Sequence, residues 1–208
     1  MGAIGILGGS FDPIHLGHRT LGCAAVDEVA LDRLIVVPAH IQPFKQNKKV
    51  AQDKHRLRMA ALAFDGCDKA EVSDYEIIKG DISYSYETMT HFREVYPKDE
   101  LFFVMGADSF FNVEKWYKGE ELLSEFSFIV SSRPGYPERE LESKIRFYRE
   151  DYGTKIIRLR TKMPDISSTE IRETAIAGDP INHLVPVKVE QYINDFSLYD
   201  DDARSYRI

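Results

Sequence analysis

Two histidines three positions apart, His15 and His18, stand in the stretch "GGSFDPIHLGH" (residues 8–18), directly after a short apolar run. At that spacing both imidazoles fall on one face of a helical turn. Gly8 and Gly9 allow backbone to approach a ligand closely or to take a positive φ. Pro13 suits a helix start, so a helix is predicted to begin near Ile14 or His15. The first amides of such a helix have no intrahelical partners and form an anion site. Two imidazoles beside them suit a polyphosphate, because they donate hydrogen bonds and carry charge as it develops on oxygen. The plainer alternative is a tight glycine turn with histidines that cap or pack. Zinc is disfavoured, since no further Cys or His stands at ligand spacing. The dinucleotide fingerprint is absent, because Gly5, Gly8 and Gly9 give G-x-x-G-G.

A second phosphate element is suggested by "MPDISSTEIR" (163–172). Ser167 and Glu170 fit the capping box S-x-x-E, so a helix is predicted from Ser167 or Ser168. Taken alone this is an ordinary helix cap. The hydroxyls of Ser167, Ser168 and Thr169, with Arg172 one turn beyond Ser168, also suit a β,γ-phosphate. Lys45 offers a further cation in "VPAHIQPFKQNKK" (37–49), although beside Lys48, Lys49 and Lys54 it reads by itself as a solvated surface lysine. In the middle of the chain Asp108 follows an apolar run in "GADSFFNVEKW" (106–116), and the only tryptophan, Trp116, is set among polar residues. An exposed ring there could stack on a small aromatic ring. "KGDISYSYET" (79–88) offers hydroxyls and amides for a carboxylate, or a plain helix N-cap at Ser83.

These segments need elements to hold them. Apolar runs at 3–8, 33–38, 70–77, 101–106, 126–131 and 155–159 read as six strands. Helical periodicity fills the gaps: Leu21, Ala24, Ala25 and Val29 after the first run, then 53–64, 84–96 and 138–150. Strict alternation implies βαβ crossovers, hence an α/β fold with a mostly parallel sheet covered on both faces. Ligands then sit beyond the carboxyl ends of the strands, near the reversal of strand order, which is where the motif-bearing loops lie.

The chain has 208 residues, 43% of them hydrophobic, enough for one sizeable core and a single domain, read as 1–198 with a tail at 199–208. A net charge of −7 excludes the global basic field that gathers nucleic acid polymers, so bound phosphate must be held locally. Cys23 and Cys67, far apart in sequence, suggest neither a disulfide framework nor a zinc knuckle. With no signal segment and no run of about 18 apolar residues, a soluble, cytoplasmic protein without membrane contact is expected.

The string "GGSFDPIHLGH" resembles the H/T-x-G-H signature of the nucleotidyltransferase superfamily, and "ISSTEIR" is similar to that superfamily's second signature. Together with "GADSF…W", "KGDISYSYET", "SSRPGY" (131–136) and "LVPVKVEQYINDFSLYD" (184–200), they resemble the bacterial nicotinate-nucleotide adenylyltransferases over nearly the whole chain. The resemblance implies a Rossmann-like, doubly wound fold. It also implies transfer of AMP from ATP to nicotinate mononucleotide, giving deamido-NAD and pyrophosphate without a covalent enzyme intermediate. By the same resemblance His15, His18, Lys45 and Arg172 are catalytic. Gly8, Gly9, Ser10, Phe11, Gly106, Asp108, Ile166, Ser167, Ser168 and Thr169 bind ATP. Ser83, Tyr84, Ser85, Trp116, Tyr117 and Arg133 serve the acceptor. Phe44, Lys79, Ser85 and Glu87 stand where the family usually carries His, Arg, Thr and Asp. No carboxylate cluster stands out, so Mg²⁺ is expected to ride on the ATP phosphates with no dedicated metal site. Alternatives are nicotinamide mononucleotide or phosphopantetheine as acceptor, or a non-catalytic nucleotide sensor; a homo-oligomer is left open.

Overall fold

In the computed structural model, which describes residues 2–43, 50–132, 135 and 137–200, six strands form one sheet. They are β1 (Ala3–Gly9), β2 (Arg33–Pro38), β3 (Ala70–Val72), β4 (Glu100–Gly106), β5 (Ser127–Ser131) and β6 (Ile156–Arg158). The order is β3-β2-β1-β4-β5-β6, and every neighbouring pair is parallel. This is the doubly wound arrangement, with its reversal between β1 and β4. The ligand crevice is therefore expected where Gly8–Gly9 and Gly106 end their strands.

Side chains alternate across the sheet and both faces are buried. Leu7, Leu34, Val36, Phe102, Val104 and Ile129 join one core. Ile4, Ile6, Ile35, Val37, Phe103, Met105, Phe128 and Val130 join the other. Continuous apolar runs whose successive side chains go to opposite cores are what strands covered on both sides require. The first core is completed by helices α1 (Leu16–Val29), α2 (Asp53–Ala63), α8 (Ser168–Ile176) and α9 (Val187–Asp195). The second is completed by α4 (Ser85–Val95), α5 (Ala107–Phe110), α6 (Gly119–Glu125) and α7 (Glu138–Tyr152). Among the described residues no helix is long and apolar enough to cross a membrane.

Two local expectations are corrected. The third apolar run is not one strand over 70–77: β3 stops at Val72, and Tyr75–Lys79 forms a short helix, α3. The Ser73 hydroxyl accepts from the Tyr75 amide, and Gly80 closes α3 in a left-handed conformation, so punctuation at both ends overrides the apolar content between them. Pro13 does not open a helix. Residues 10–15 form a loop, and α1 begins at Leu16, behind an N-cap at His15.

Candidate active site

Gly8 and Gly9 stay in the sheet, in register with Val37 and Pro38, so neither takes a positive φ. The left-handed residue is Phe11 (φ 49°), two residues after Gly9. Its ring folds back to within 2.8 Å of where a Cβ on Gly9 would lie, and meets His18 edge-on at 5.0 Å between centroids. The missing Gly9 side chain thus provides the space that packs the loop against α1.

His15 and His18 form a reciprocal cap at the start of α1. Nδ1 of His15 accepts from the His18 amide at 3.4 Å, and Nδ1 of His18 accepts from the His15 amide at 3.3 Å. This is a capping box built from two imidazoles. The rings stack, 3.7 Å between centroids and 30° apart. A neutral ring that accepts at Nδ1 carries its proton at Nε2, so the box sets both rings as Nε2–H donors. Of the two alternatives in the sequence, capping is what these bonds show: one nitrogen of each ring serves the helix. Gly17 makes the stack possible, because a Cβ there would stand 3.0 Å from the His15 ring.

The second signature is docked onto the first. Ser167 caps α8, its hydroxyl accepting from the Glu170 amide at 3.2 Å. Ser168 Oγ donates to the Pro13 carbonyl at 2.9 Å. Arg172 donates through Nη1 to the Asp12 carbonyl at 2.6 Å and through Nη2 to Thr169 Oγ1 at 3.2 Å. The Ile166 side chain belongs to the core. Lys45 and Arg133 lie outside the described residues.

Two buried charged residues that the sequence did not single out hold this junction. Asp12, 3% exposed, accepts at Oδ1 from the Ala51 amide at 3.1 Å and from the Tyr199 hydroxyl at 2.9 Å. Tyr199 is itself fully buried. Arg56, 1% exposed, donates to the carbonyls of Ser10, His40 and Ala51 and pairs with Asp53. A buried guanidinium saturated in this way locks three backbone segments together.

Beside Gly8 and Gly9 opens a cavity of about 560 Å³, a volume suited to a small-molecule site. Asp108, which follows β4, lines it together with Ser83, Tyr84, Ser85, Trp116 and Tyr117. Trp116 is half-buried rather than fully exposed, its ring meeting Phe103 edge-on at 6.3 Å. Tyr84 and Tyr117 lie ring on ring, 4.4 Å between centroids. Ser83 is not a helix cap: Tyr84 holds the N-cap position of α4. The Ser83 hydroxyl instead accepts from the His40 amide at 2.9 Å, while its own amide donates to the Ile41 carbonyl, joining the loops after β2 and α3. Ser10 Oγ reaches the same loop through Gln42 Oε1 at 2.8 Å. Lys79 pairs with Glu87, so two positions that depart from the family pattern are partners of one another: the shorter cation meets the longer acid. Glu76 and Thr88 also line the cavity and were not picked out from the sequence. A buried acid on an amphipathic segment carries no local signal that distinguishes it from a solvated one.

Residues 6–174 match the family described as cytidylyltransferase-like. Over 203 residues the chain is 38% identical to a probable nicotinate-nucleotide adenylyltransferase of Thermoanaerobacter sp. (strain X514), covering 97% of this chain and 96% of that one. It is 36% identical over 194 residues to a protein of the same name from Clostridium tetani, covering 93% and 97%. Among solved structures it resembles Plasmodium falciparum nicotinic acid mononucleotide adenylyltransferase complexed with NaAD, with a TM-score of 0.80 over 97% of this chain and 99% of that one. At 21% identity, that likeness is one of fold.

Proposed function

The chain belongs to the cytidylyltransferase-like family, and on that premise we propose that it transfers AMP from ATP to nicotinate mononucleotide, releasing pyrophosphate and forming deamido-NAD. The observations that carry this reading are the junction of the two signature segments at Asp12 and Pro13 and a cavity lined by Gly8, Gly9, an indole and the Ser83–Ser85 turn.

A 5′-phosphate oxygen of the acceptor attacks the α-phosphorus of ATP in line. The bond to the bridging oxygen breaks, and its electrons leave with pyrophosphate. Chemistry of this kind asks the protein for positioning and for donors aimed at developing charge. His15 and His18, as Nε2–H donors, contact the α- and β-phosphates. Arg172 and the amides at Ser167 to Thr169 hold β and γ, with Lys45 as the further cation by family resemblance. Gly8, Gly9, Ser10 and Phe11 let the nucleotide approach the sheet, and Gly106 and Asp108 lie on the adenosine side. Trp116, with Tyr117 beside it, stacks on the pyridine ring; the turn at Tyr84 and Ser85 receives its carboxylate. Arg133 is a further phosphate contact by the same resemblance.

Mg²⁺ rides on the triphosphate. Among the described residues no group of three His, Cys, Asp or Glu side chains is disposed to hold a metal ion. When bound, the cation neutralises charge on the departing pyrophosphate. The setting is the cytoplasm, where ATP is available.

Pyrophosphate release with ATP and Mg²⁺ across nicotinate mononucleotide, nicotinamide mononucleotide and phosphopantetheine tests the reading. Preference for the first is expected, and Trp116→Ala should raise KM for it. Release with none of the three sinks the assignment, and preference for the nicotinamide form overturns the carboxylate role of the turn.

A further inference from the structure

Beneath the acceptor end of the cavity sits an acid to which the reaction assigns no step. Glu76, on α3, is 6% exposed and lines the cavity. Among the described residues its hydrogen-bond partners are hydroxyls, those of Thr88 and Ser83. The nearby cations are committed elsewhere: Lys79 to Glu87 and Arg56 to Asp53. A carboxylate buried against hydroxyls alone loses its hydration without gaining an ion pair, which favours the protonated form. Burial pushes the Glu76 carboxyl above the usual carboxylate range, against the opposing pull of Ser83, Thr88, Lys79 and Arg56.

The hydrogen-bond geometry accommodates the proton. Ser83 Oγ accepts from the His40 amide, so its own proton is the one directed at Glu76. Thr88 Oγ1 lies within reach of both Glu76 and the Tyr84 carbonyl, the latter at 3.3 Å. A protonated Glu76 can donate to Thr88 Oγ1 while Thr88 donates onward to Tyr84, and every group in the chain is then paired. The Thr88 end of that chain lies on the first turn of α4, which begins at the residue that would meet an acceptor carboxylate, Ser85.

We propose that Glu76 is a positioning and specificity-determining residue of the acceptor pocket. As a neutral carboxylic acid it ties Ser83 and Thr88 together beneath the Tyr84–Ser85 turn and keeps that end of the cavity free of negative charge, so that the pocket admits a ring bearing an anionic substituent. The inference rests on the adenylyl-transfer reading above for the identity of that ring. An ionised acid at the same place would repel a carboxylate; a neutral one supports the turn without selecting against the charge.

Glu76→Ala and Glu76→Gln test this with the intact chain. Glu76→Ala should raise KM for nicotinate mononucleotide by roughly tenfold or more, as two hydroxyls lose their partner, with kcat and KM for ATP held near wild type. Glu76→Gln, neutral and of the same shape, should restore most of that loss. The difference infrared spectrum of wild type minus Glu76→Gln at neutral pH should show the carbonyl stretch of a protonated carboxylic acid. A carboxylate band in its place overturns the proposal. So does a Glu76→Gln variant as impaired as Glu76→Ala, or a Glu76→Ala variant that loses only thermal stability. Failure of the wild type to use nicotinate mononucleotide would defeat the functional reading instead, and the infrared band is independent of it.

Discussion

Nη1 of Arg172 donates to the backbone carbonyl of Asp12 at 2.6 Å, across 160 positions of sequence, so the two signature segments are fastened to one another by protein contacts alone. The same guanidinium reaches Thr169 Oγ1 and stands 3.8 Å from Asp12 Oδ2. Its planar fork serves two strands of chain at once, which a lysine ammonium on a flexible stem does not reproduce. Arg172→Lys is therefore expected to lower kcat/KM for ATP on the order of ten- to a hundredfold, the worth of one or two charge-assisted hydrogen bonds. Steady-state pyrophosphate release at varied ATP checks it, and an unchanged kcat/KM would remove Arg172 from the phosphate site.

Gly17 is required by the ring beside it. A Cβ at Gly17 would lie 3.0 Å from Cε1 and Nδ1 of His15, tighter than ordinary contact, and the ring stacked on His18 must give by a few tenths of an ångström to relieve it. Gly17→Ala should cut kcat by roughly tenfold or more, because a displaced donor no longer meets developing charge. The fold should survive, since the strain falls on a side chain at a helix start. Turnover measured beside a thermal melt separates the two effects; equal turnover would mean that the stack has no part in the chemistry.

Trp116 is placed by a glycine three residues later. A Cβ on Gly119 would lie 2.0 Å from the Val113 carbonyl oxygen, which belongs to the turn at Val113–Lys115 and accepts from the Trp116 amide at 3.0 Å. Backbone must move to admit a methyl group here, at a cost of about 1–3 kcal/mol. Gly119→Ala should lower the denaturation midpoint and shift the fluorescence of the sole tryptophan. A spectrum and midpoint matching wild type would contradict the packing described.

Glu76 also sets a slope of stability with pH. Its folded carboxyl titrates above the ordinary value of 4.5, chiefly because it is buried. Between that value and the higher folded one, the unfolded chain has released the proton while the folded chain keeps it. The contribution of Glu76 is thus full below 4.5 and is lost as pH rises through the folded value. Urea titrations over this window should show Glu76→Gln flatter than wild type, and parallel curves would mean that Glu76 ionises alike in both states.

Much of the two signature segments is legible in the chain because it is local. His15 and His18 fall within one turn, Ser167 caps the helix that carries Arg172, and the alternating strands and helices place both segments at strand ends. Short-range hydrogen bonds and periodicity decide such features, and neighbouring residues contain them. Even here the sequence left capping and anion binding as alternatives, and it took the paired Nδ1 bonds to show the capping. Only the tertiary structure decided what Asp12, Arg56 and Glu76 are. Each is an ordinary charged residue by type and spacing, and each becomes buried and specific through partners brought from elsewhere: Tyr199 at a separation of 187 positions, Ser10 at 46, Thr88 at 12. Burial strips water from such groups and obliges them to find fixed partners, and that obligation arises only once the fold has closed around them.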